Sequence, residues 1–181
     1  MARILDLGCG RNKRPDAIGI DRVYLPGVDL VHDLNRFPYP FRDSVFEEVY
    51  AVHVIEHMDS VLEVMEEIHR ISRPGARVTI ITPHYTDPVS WQDPTHRWHL
   101  SSYSFNYFDP HYHTNHYTAA RFGILHRELE MASVWKVLGV QLLINLDNQR
   151  PGFRFLRKFW EQYLCFFMRG KQLTFLLEVI K

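Results

Sequence analysis

Cysteine is scarce in this chain. Its 181 residues include two, Cys9 and Cys165. They lie far apart and in no metal-ligand spacing, so neither a disulfide framework nor a cysteine-built metal site is expected, and a reducing, cytoplasmic setting fits. Net charge is missing too, because 21 basic and 21 acidic side chains cancel. A nucleic-acid binder usually carries a basic face, so no nucleic-acid partner is expected. No run of about 20 apolar residues occurs, which argues against a membrane-spanning helix. The chain opens straight into a strand-like run, so no secretory leader is expected. Internal repeats and low-complexity tracts are also absent. The remainder, 46% apolar and 23% charged, has the composition of an ordinary globular domain. Its length predicts a single domain over residues 1–181 with a sizeable core.

Two phosphate-binding signatures are absent as well. A dinucleotide fingerprint needs a third glycine, but Gly8-Cys9-Gly10-Arg11-Asn12 is followed by Lys13, which disfavours a nicotinamide oxidoreductase. No G-x-x-x-x-G-K-[ST] loop is found either. What is present is Arg3-Ile-Leu-Asp-Leu-Gly-Cys-Gly10, a buried-strand pattern that stops at two closely spaced glycines. Glycine has no Cβ and tolerates positive φ, so backbone there can approach a ligand. In open α/β sheets ligands sit at the carboxyl ends of the strands. Asp6, set among apolar residues, needs a partner for its charge, either a ligand cation or backbone N–H groups of the glycine turn.

The chain then alternates strand and helix signals. Residues 11–17 are polar and contain Pro15, and the crossover to the next apolar stretch, residues 17–21, is barely long enough for parallel strands. A turn or very short helix is expected there. Residues 28–33 read as a third strand and 46–54 as a fourth, with His53, Glu56 and His57 facing the crevice at its end. Asp59 is a good helix N-cap. Val61, Leu62, Val64, Met65, Ile68 and Ile71 make an apolar stripe at helical spacing, stopped by Pro74-Gly75. Residues 77–82 predict a fifth strand ended by Pro83, and residues 121–131 and 173–180 predict two late strands.

Asp6-Leu-Gly-Cys-Gly10 resembles the first motif of class I S-adenosylmethionine (SAM)-dependent methyltransferases. The resemblance extends through His32-Asp-Leu-Asn35, Phe37-Pro-Tyr-Pro-Phe41 and Asp43 to His57, then through the helix, the Arg-Pro-Gly turn and the following strand. Ser90-Trp-Gln-Asp-Pro-Thr-His-Arg97 resembles a segment of a small stand-alone subgroup of that family. The resemblance implies an α/β fold: a doubly wound, mostly parallel, seven-stranded Rossmann-like sheet with an antiparallel last strand. It implies SAM as cofactor, held by Asp6, Gly8, Cys9, Gly10, Asp21, Asp33, Leu34 and His53. Asp21 would accept from the ribose hydroxyls, Asp33 would read the adenine amino group, and Leu34 would cover the ring. Lys13 is a further candidate, for the cofactor's carboxylate.

Methyl transfer from a sulfonium needs alignment more than activation, and a general base only when the acceptor is protonated. Histidine suits that task near neutral pH, and His53, His57, His84 and His96 are the candidates. Residues 84–118 hold six of the eleven histidines and many aromatics, and are expected to form a lid and acceptor wall over the open end of the sheet. His111, His113 and His116 cluster in sequence, but carboxylate and cysteine partners at familiar spacings are absent, so no metal is expected. In residues 152–169, Phe153, Leu156, Trp160, Tyr163, Leu164 and Phe167 recur at helical spacing, with Arg154, Arg157, Lys158 and Arg169 between them. Such a helix covers the sheet, meets a membrane surface peripherally or joins a homodimer. The expected activity is methyl transfer from SAM to a small-molecule acceptor. The alternative is a non-catalytic SAM-binding or interaction module.

Overall fold

A computed structural model describes residues 3–113 and 115–181. Seven strands form one sheet: β1 (Ile4–Leu7), β2 (Ile18–Asp21), β3 (Leu30–Val31), β4 (Phe46–Val52), β5 (Ser72–Pro83), β6 (Arg121–Met131) and β7 (Gly170–Ile180). Their order is β3-β2-β1-β4-β5-β7-β6. The first five run parallel, and β7 inserts antiparallel between β5 and β6. This is the mostly parallel, seven-stranded α/β sheet expected, with its antiparallel hairpin at the end. Strand β3 is shorter than the predicted 28–33, pairing only through Leu30 and Val31.

Between β1 and β2 no helix forms, as the short crossover predicts. The crossover instead lies directly on β2. A Cβ on Gly19 would sit 2.7 Å from Cys9 Sγ and 2.5 Å from Lys13 Cδ, so only glycine permits this approach.

The one long helix, α1 (Val61–Ile71), buries Val64, Met65, Ile68 and Ile71 against the sheet. Its N-cap is Ser60, whose Oγ accepts from Glu63 N at 3.2 Å, and not the predicted Asp59. Serine and aspartate cap equally well, and Asp59 is instead paired with Arg97 at 3.1 Å. Ser72 already pairs with β4, so β5 begins where α1 ends.

On the far side, Phe105 and Phe108 of the turn Ser104–Phe108 drive into the core. Phe105 meets Phe175 edge-on at 4.7 Å between ring centres, and Phe108 meets Phe122 at 5.9 Å. The predicted helix over 152–169 is broken in three: a single turn at Pro151–Phe153, a short helix α2 (Arg154–Phe159) and a wide turn at Trp160–Leu164. Trp160 is buried, but Phe155, Phe159, Tyr163, Phe166 and Phe167 remain exposed. Arg157, one of the basic residues read as interspersed on that helix, is wholly buried. Its Nε donates to Asp147 Oδ2 at 2.8 Å and its Nη2 to Asp147 Oδ1 at 2.7 Å. Nearby Arg127 is half-buried, and desolvation together with the Arg157 charge brings its pKa down to about 10.

The outer edge of β6 is closed by side-chain amides. Gln141 Oε1 accepts from Met131 N at 2.9 Å. Asn145 accepts from Leu129 N and donates to Leu129 O, both at 2.9 Å. Asn148 does the same to Arg127, at 3.1 and 2.6 Å. The spacing 141, 145, 148 places all three amides on one helical face, so they satisfy alternate backbone groups along an edge strand.

Removing one partner of a buried ion pair leaves the other charge uncompensated. Asp147→Ala is therefore expected to lower stability by roughly 3–5 kcal/mol in urea denaturation. Asp43→Ala, which breaks the ion pair of Arg70 with a carboxylate 75% exposed, should cost under about 1 kcal/mol.

Candidate active site

The sheet order reverses between β1 and β4, and a crevice forms where neighbouring connections leave in opposite directions. A cavity of about 640 Å³ opens there, within the range of small-ligand sites. Gly8, directly after β1, forms its floor, with φ of 61°. A Cβ on Gly8 would lie 2.4 Å from Val54 Cγ2, so the backbone of one strand end packs on the side chain of the other. Asp21, Asp33 and Leu34 line one side, and His53 and His57 line the opposite side.

Asp21 ends β2. Its Oδ2 accepts from Gly10 N at 2.9 Å and its Oδ1 from Val23 N at 2.9 Å. A carboxylate offers about four acceptor positions, so each oxygen keeps one for a ligand while the backbone holds the group still. Asp33 Oδ1 accepts from Asn35 N at 3.1 Å in the same manner. Leu34 is almost wholly buried, and its carbonyl accepts from Tyr39 Oη at 3.0 Å.

Several predicted site residues serve the scaffold instead of the cavity wall. Asp6 Oδ2 accepts from Arg14 N at 2.9 Å, so its backbone partner is the crossover and not the glycine turn. Burial outweighs this bond and raises its pKa. Lys13 Nζ donates to Asp29 Oδ2 at 2.8 Å, which ties it to β2's flank, and it is not among the residues lining the cavity. Cys9 is buried under the crossover, where desolvation and the charges of Asp6 and Asp21 push its thiol up to about 11. Gly10 acts through Asp21, by donating its N–H.

The histidines divide in the same way. His84 is wholly buried and does not reach the crevice. Pro83 ends β5, and the chain turns His84 inward against Trp160, with Thr86 Oγ1 at 2.8 Å and Glu161 Oε1 at 3.2 Å from its two nitrogens. Burial alone would raise Glu161, but its bonds to His84 and Ser102 outweigh that and hold it below the usual carboxylate range. His53, at a φ of 53°, has Glu56 Oε1 3.2 Å from its Nδ1. That hydrogen bond raises the His53 pKa against the opposing effect of burial. His96 sits behind His57, ring centres 4.6 Å apart.

Only part of the segment 84–118 reaches the cavity. Arg97 N donates to Glu56 O at 2.7 Å, Trp98 Nε1 to Met58 O at 2.8 Å, and Thr95 Oγ1 lies 2.9 Å from His57 Nδ1. Pro94, Thr95 and Arg97 thereby become cavity wall. They lie within the segment expected to wall the acceptor, but the sequence did not single them out as individual site residues. His111, His113 and His116 are exposed and away from this site.

A protein-family model described as "Methyltransferase domain" matches residues 1–126. The chain belongs to that methyltransferase family. The fold agrees: a SAM-dependent methyltransferase from Archaeoglobus fulgidus superposes with a TM-score of 0.61 at 16% identity, over 97% of this chain and 85% of that one. The [4+2]-cyclase SpnF gives 0.57 at 18% identity, over 98% and 75%. Coclaurine N-methyltransferase bound to N-methylheliamine and SAH gives 0.55 at 12% identity, over 96% and 64%. In sequence, the O-methyltransferase rstn1 of Aspergillus nomiae is 29% identical over 101 residues, 43% of this chain. The chain spans about half the length of that relative, the match covering 45% of it. S-adenosylmethionine is the cofactor of this methyltransferase family.

The two glycines of the turn make separable demands. Gly8→Ala meets both a left-handed backbone and the Val54 side chain, and is expected to lose roughly 2–4 kcal/mol. Gly10→Ala, with nothing within 4 Å of the new Cβ, should lose only the backbone cost of about 1–2 kcal/mol. Thermal denaturation of the two variants side by side reads the difference.

Proposed function

We propose that the cavity holds the adenosyl sulfonium of SAM and that the chain transfers its methyl group to an oxygen of a small-molecule acceptor. The observation carrying this reading is Asp21. Its carboxylate is fixed by Gly10 N–H at 2.9 Å at the rim of the cavity floored by Gly8, with lone pairs left for two ribose hydroxyls. Asp33 and Leu34, on the same wall, offer an acceptor for an exocyclic amine and an apolar cover for a base. The named O-methyltransferase relative supports oxygen as the acceptor atom.

When bound, the sulfonium supplies an already activated methyl group, so the protein's task is alignment and exclusion of water. Gly8 and Val54 shape the floor, and Pro94, Thr95 and Arg97 close the side. His53, which lines the cavity beside His57, is our candidate to receive the proton of an acceptor hydroxyl. His84 has no such access, because both of its nitrogens are engaged in the core. A second, apolar groove of about 620 Å³, walled by Leu62, Trp98, Phe105, Tyr107 and Phe108, meets the cavity at Asp59. It suits a planar or aliphatic acceptor body and favours an enzyme over a binding module.

Calorimetry should show SAM and SAH binding to the full chain, with NAD giving no heat. Asp21→Ala should weaken SAM binding at least about tenfold, equivalent to about 1.4 kcal/mol, in a protein that still folds but melts at a lower temperature for want of the Gly10 and Val23 bonds. Equal affinity in the two proteins would remove the assignment of Asp21. Label from methyl-labelled SAM should appear on a hydroxylated acceptor in a screen of small molecules; tight SAM binding with no transfer to any acceptor would favour the binding-module reading.

A further inference from the structure

Outside the cofactor wall, Glu56, His57 and His96 each bring a potential ligand atom within 4.8 Å of the other two. Sequence spacing conceals this grouping, since forty residues separate Glu56 from His96. It is built when residues 93–98 lock onto the turn Ile55–His57, with Arg97 N and Trp98 N both donating to Glu56 O.

Each member is prepared in a way that a structural hydrogen-bond cluster does not require. Glu56 is buried, with 1% of its surface exposed. Its Oε1 faces His53 Nδ1 at 3.2 Å, while its Oε2 is buried with no hydrogen-bond partner among the described residues. A buried carboxylate oxygen without a partner costs free energy that a cation would recover. His96 Nδ1 lies 3.1 Å from Ser90 O. A carbonyl only accepts, so this bond places the proton on Nδ1 and leaves the Nε2 lone pair outside any hydrogen bond, with Asp93 Oδ2 3.9 Å away. His57 Nδ1 is occupied by Thr95 Oγ1 at 2.9 Å, which leaves its Nε2 open as well. An outer partner on one ring nitrogen is how ligating histidines are oriented in metal sites.

We propose that Glu56, His57 and His96 hold a divalent first-row transition-metal ion at the cavity wall, whose remaining positions take an oxygen of the methyl acceptor. Two imidazoles and one carboxylate favour ions such as Zn²⁺, Mn²⁺, Fe²⁺ or Co²⁺ over Ca²⁺ or Mg²⁺, and three protein ligands leave coordination open. His57 also lines the cavity, so the open side faces the space where an acceptor would sit. The acceptor role rests on the methyl-transfer reading above. The metal site does not.

Tag-free, metal-stripped protein titrated with Co²⁺ tests the site by the visible ligand-field bands of the bound ion, with Zn²⁺ competition measured by calorimetry. The expected result is saturation at one equivalent, with affinity lowered at least about tenfold by either Glu56→Gln or His96→Ala and unchanged by His111→Ala. SAH calorimetry on the same stripped protein reports the nucleoside cavity separately. Wild-type protein that gives no saturable Co²⁺ signal below millimolar concentration overturns the proposal whether or not SAH binds. Equal Co²⁺ affinity in folded Glu56→Gln and His96→Ala proteins overturns it too.

Discussion

Ten residues must carry the chain from the end of β1 back to the start of β2 without a helix, and the site depends on how that is done. A helix would have satisfied its own backbone amides. The crossover hands several of its own to carboxylates: Arg14 N to Asp6 and Gly10 N to Asp21. Asp29 completes the arrangement from β2's other flank, accepting from Gly19 N and from Lys13 Nζ. Charge-assisted bonds of this kind are about twice as strong as neutral ones. They hold the glycine turn against β2, and Gly19 leaves room for it. Asp21 is rigid for this reason, and its rigidity is what makes it useful to a ligand. The same packing leaves Cys9 a buried thiol, held protonated by burial and neighbouring carboxylates.

The second half of the site comes from a different logic. Strands β4 and β5 end at the crevice, and the residues after them cross-link: Glu56 carbonyl with Arg97 and Trp98 amides, Met58 carbonyl with the Trp98 indole, His57 with Thr95. One wall therefore belongs to the nucleoside side of the sheet and the other to a loop pinned by hydrogen bonds. The aromatic residues that follow have a split destiny. Phe105 and Phe108 complete the core over β6 and β7 and also floor the apolar groove, while the more exposed Trp98 and Tyr107 wall the groove. Residues 84–118 thus act as clamp, groove and core plug in turn, and not as a single lid.

The sheet was legible because buried parallel strands are short apolar runs, and Leu5, Ile20, Val49 and Val78 lie in such runs. Gly8 and Asp21 were legible at the cavity because strand ends in this fold type converge on one crevice, and Asp33 and Leu34 were reached through the family resemblance. Lys13 and His84 read differently in space because a single sequence does not state which partner a charged or titratable side chain meets. Asp29 reached Lys13 first, and Glu161, 77 residues away, reached His84. Arg157 read as one more interspersed basic residue for the same reason: its helical neighbours Arg154 and Lys158 are exposed, whereas Asp147, Asn145 and the Arg127 carbonyl receive its buried guanidinium. Thr95, Arg97 and the union of Glu56 with His96 depend on loop closure between segments forty residues apart, which periodicity does not report.

The amides of Gln141, Asn145 and Asn148 cover the outer border of β6 from Arg127 to Met131. Uncovered strand borders recruit further strands, from a sister molecule or a growing aggregate. Because all three amides project from one short stretch, they come away together or not at all. A disturbance that lifts residues 140–148, even one that leaves the cavity untouched, would bare alternate backbone groups of β6 simultaneously. The solubility of the whole domain is thus tied to a segment that takes no part in its chemistry.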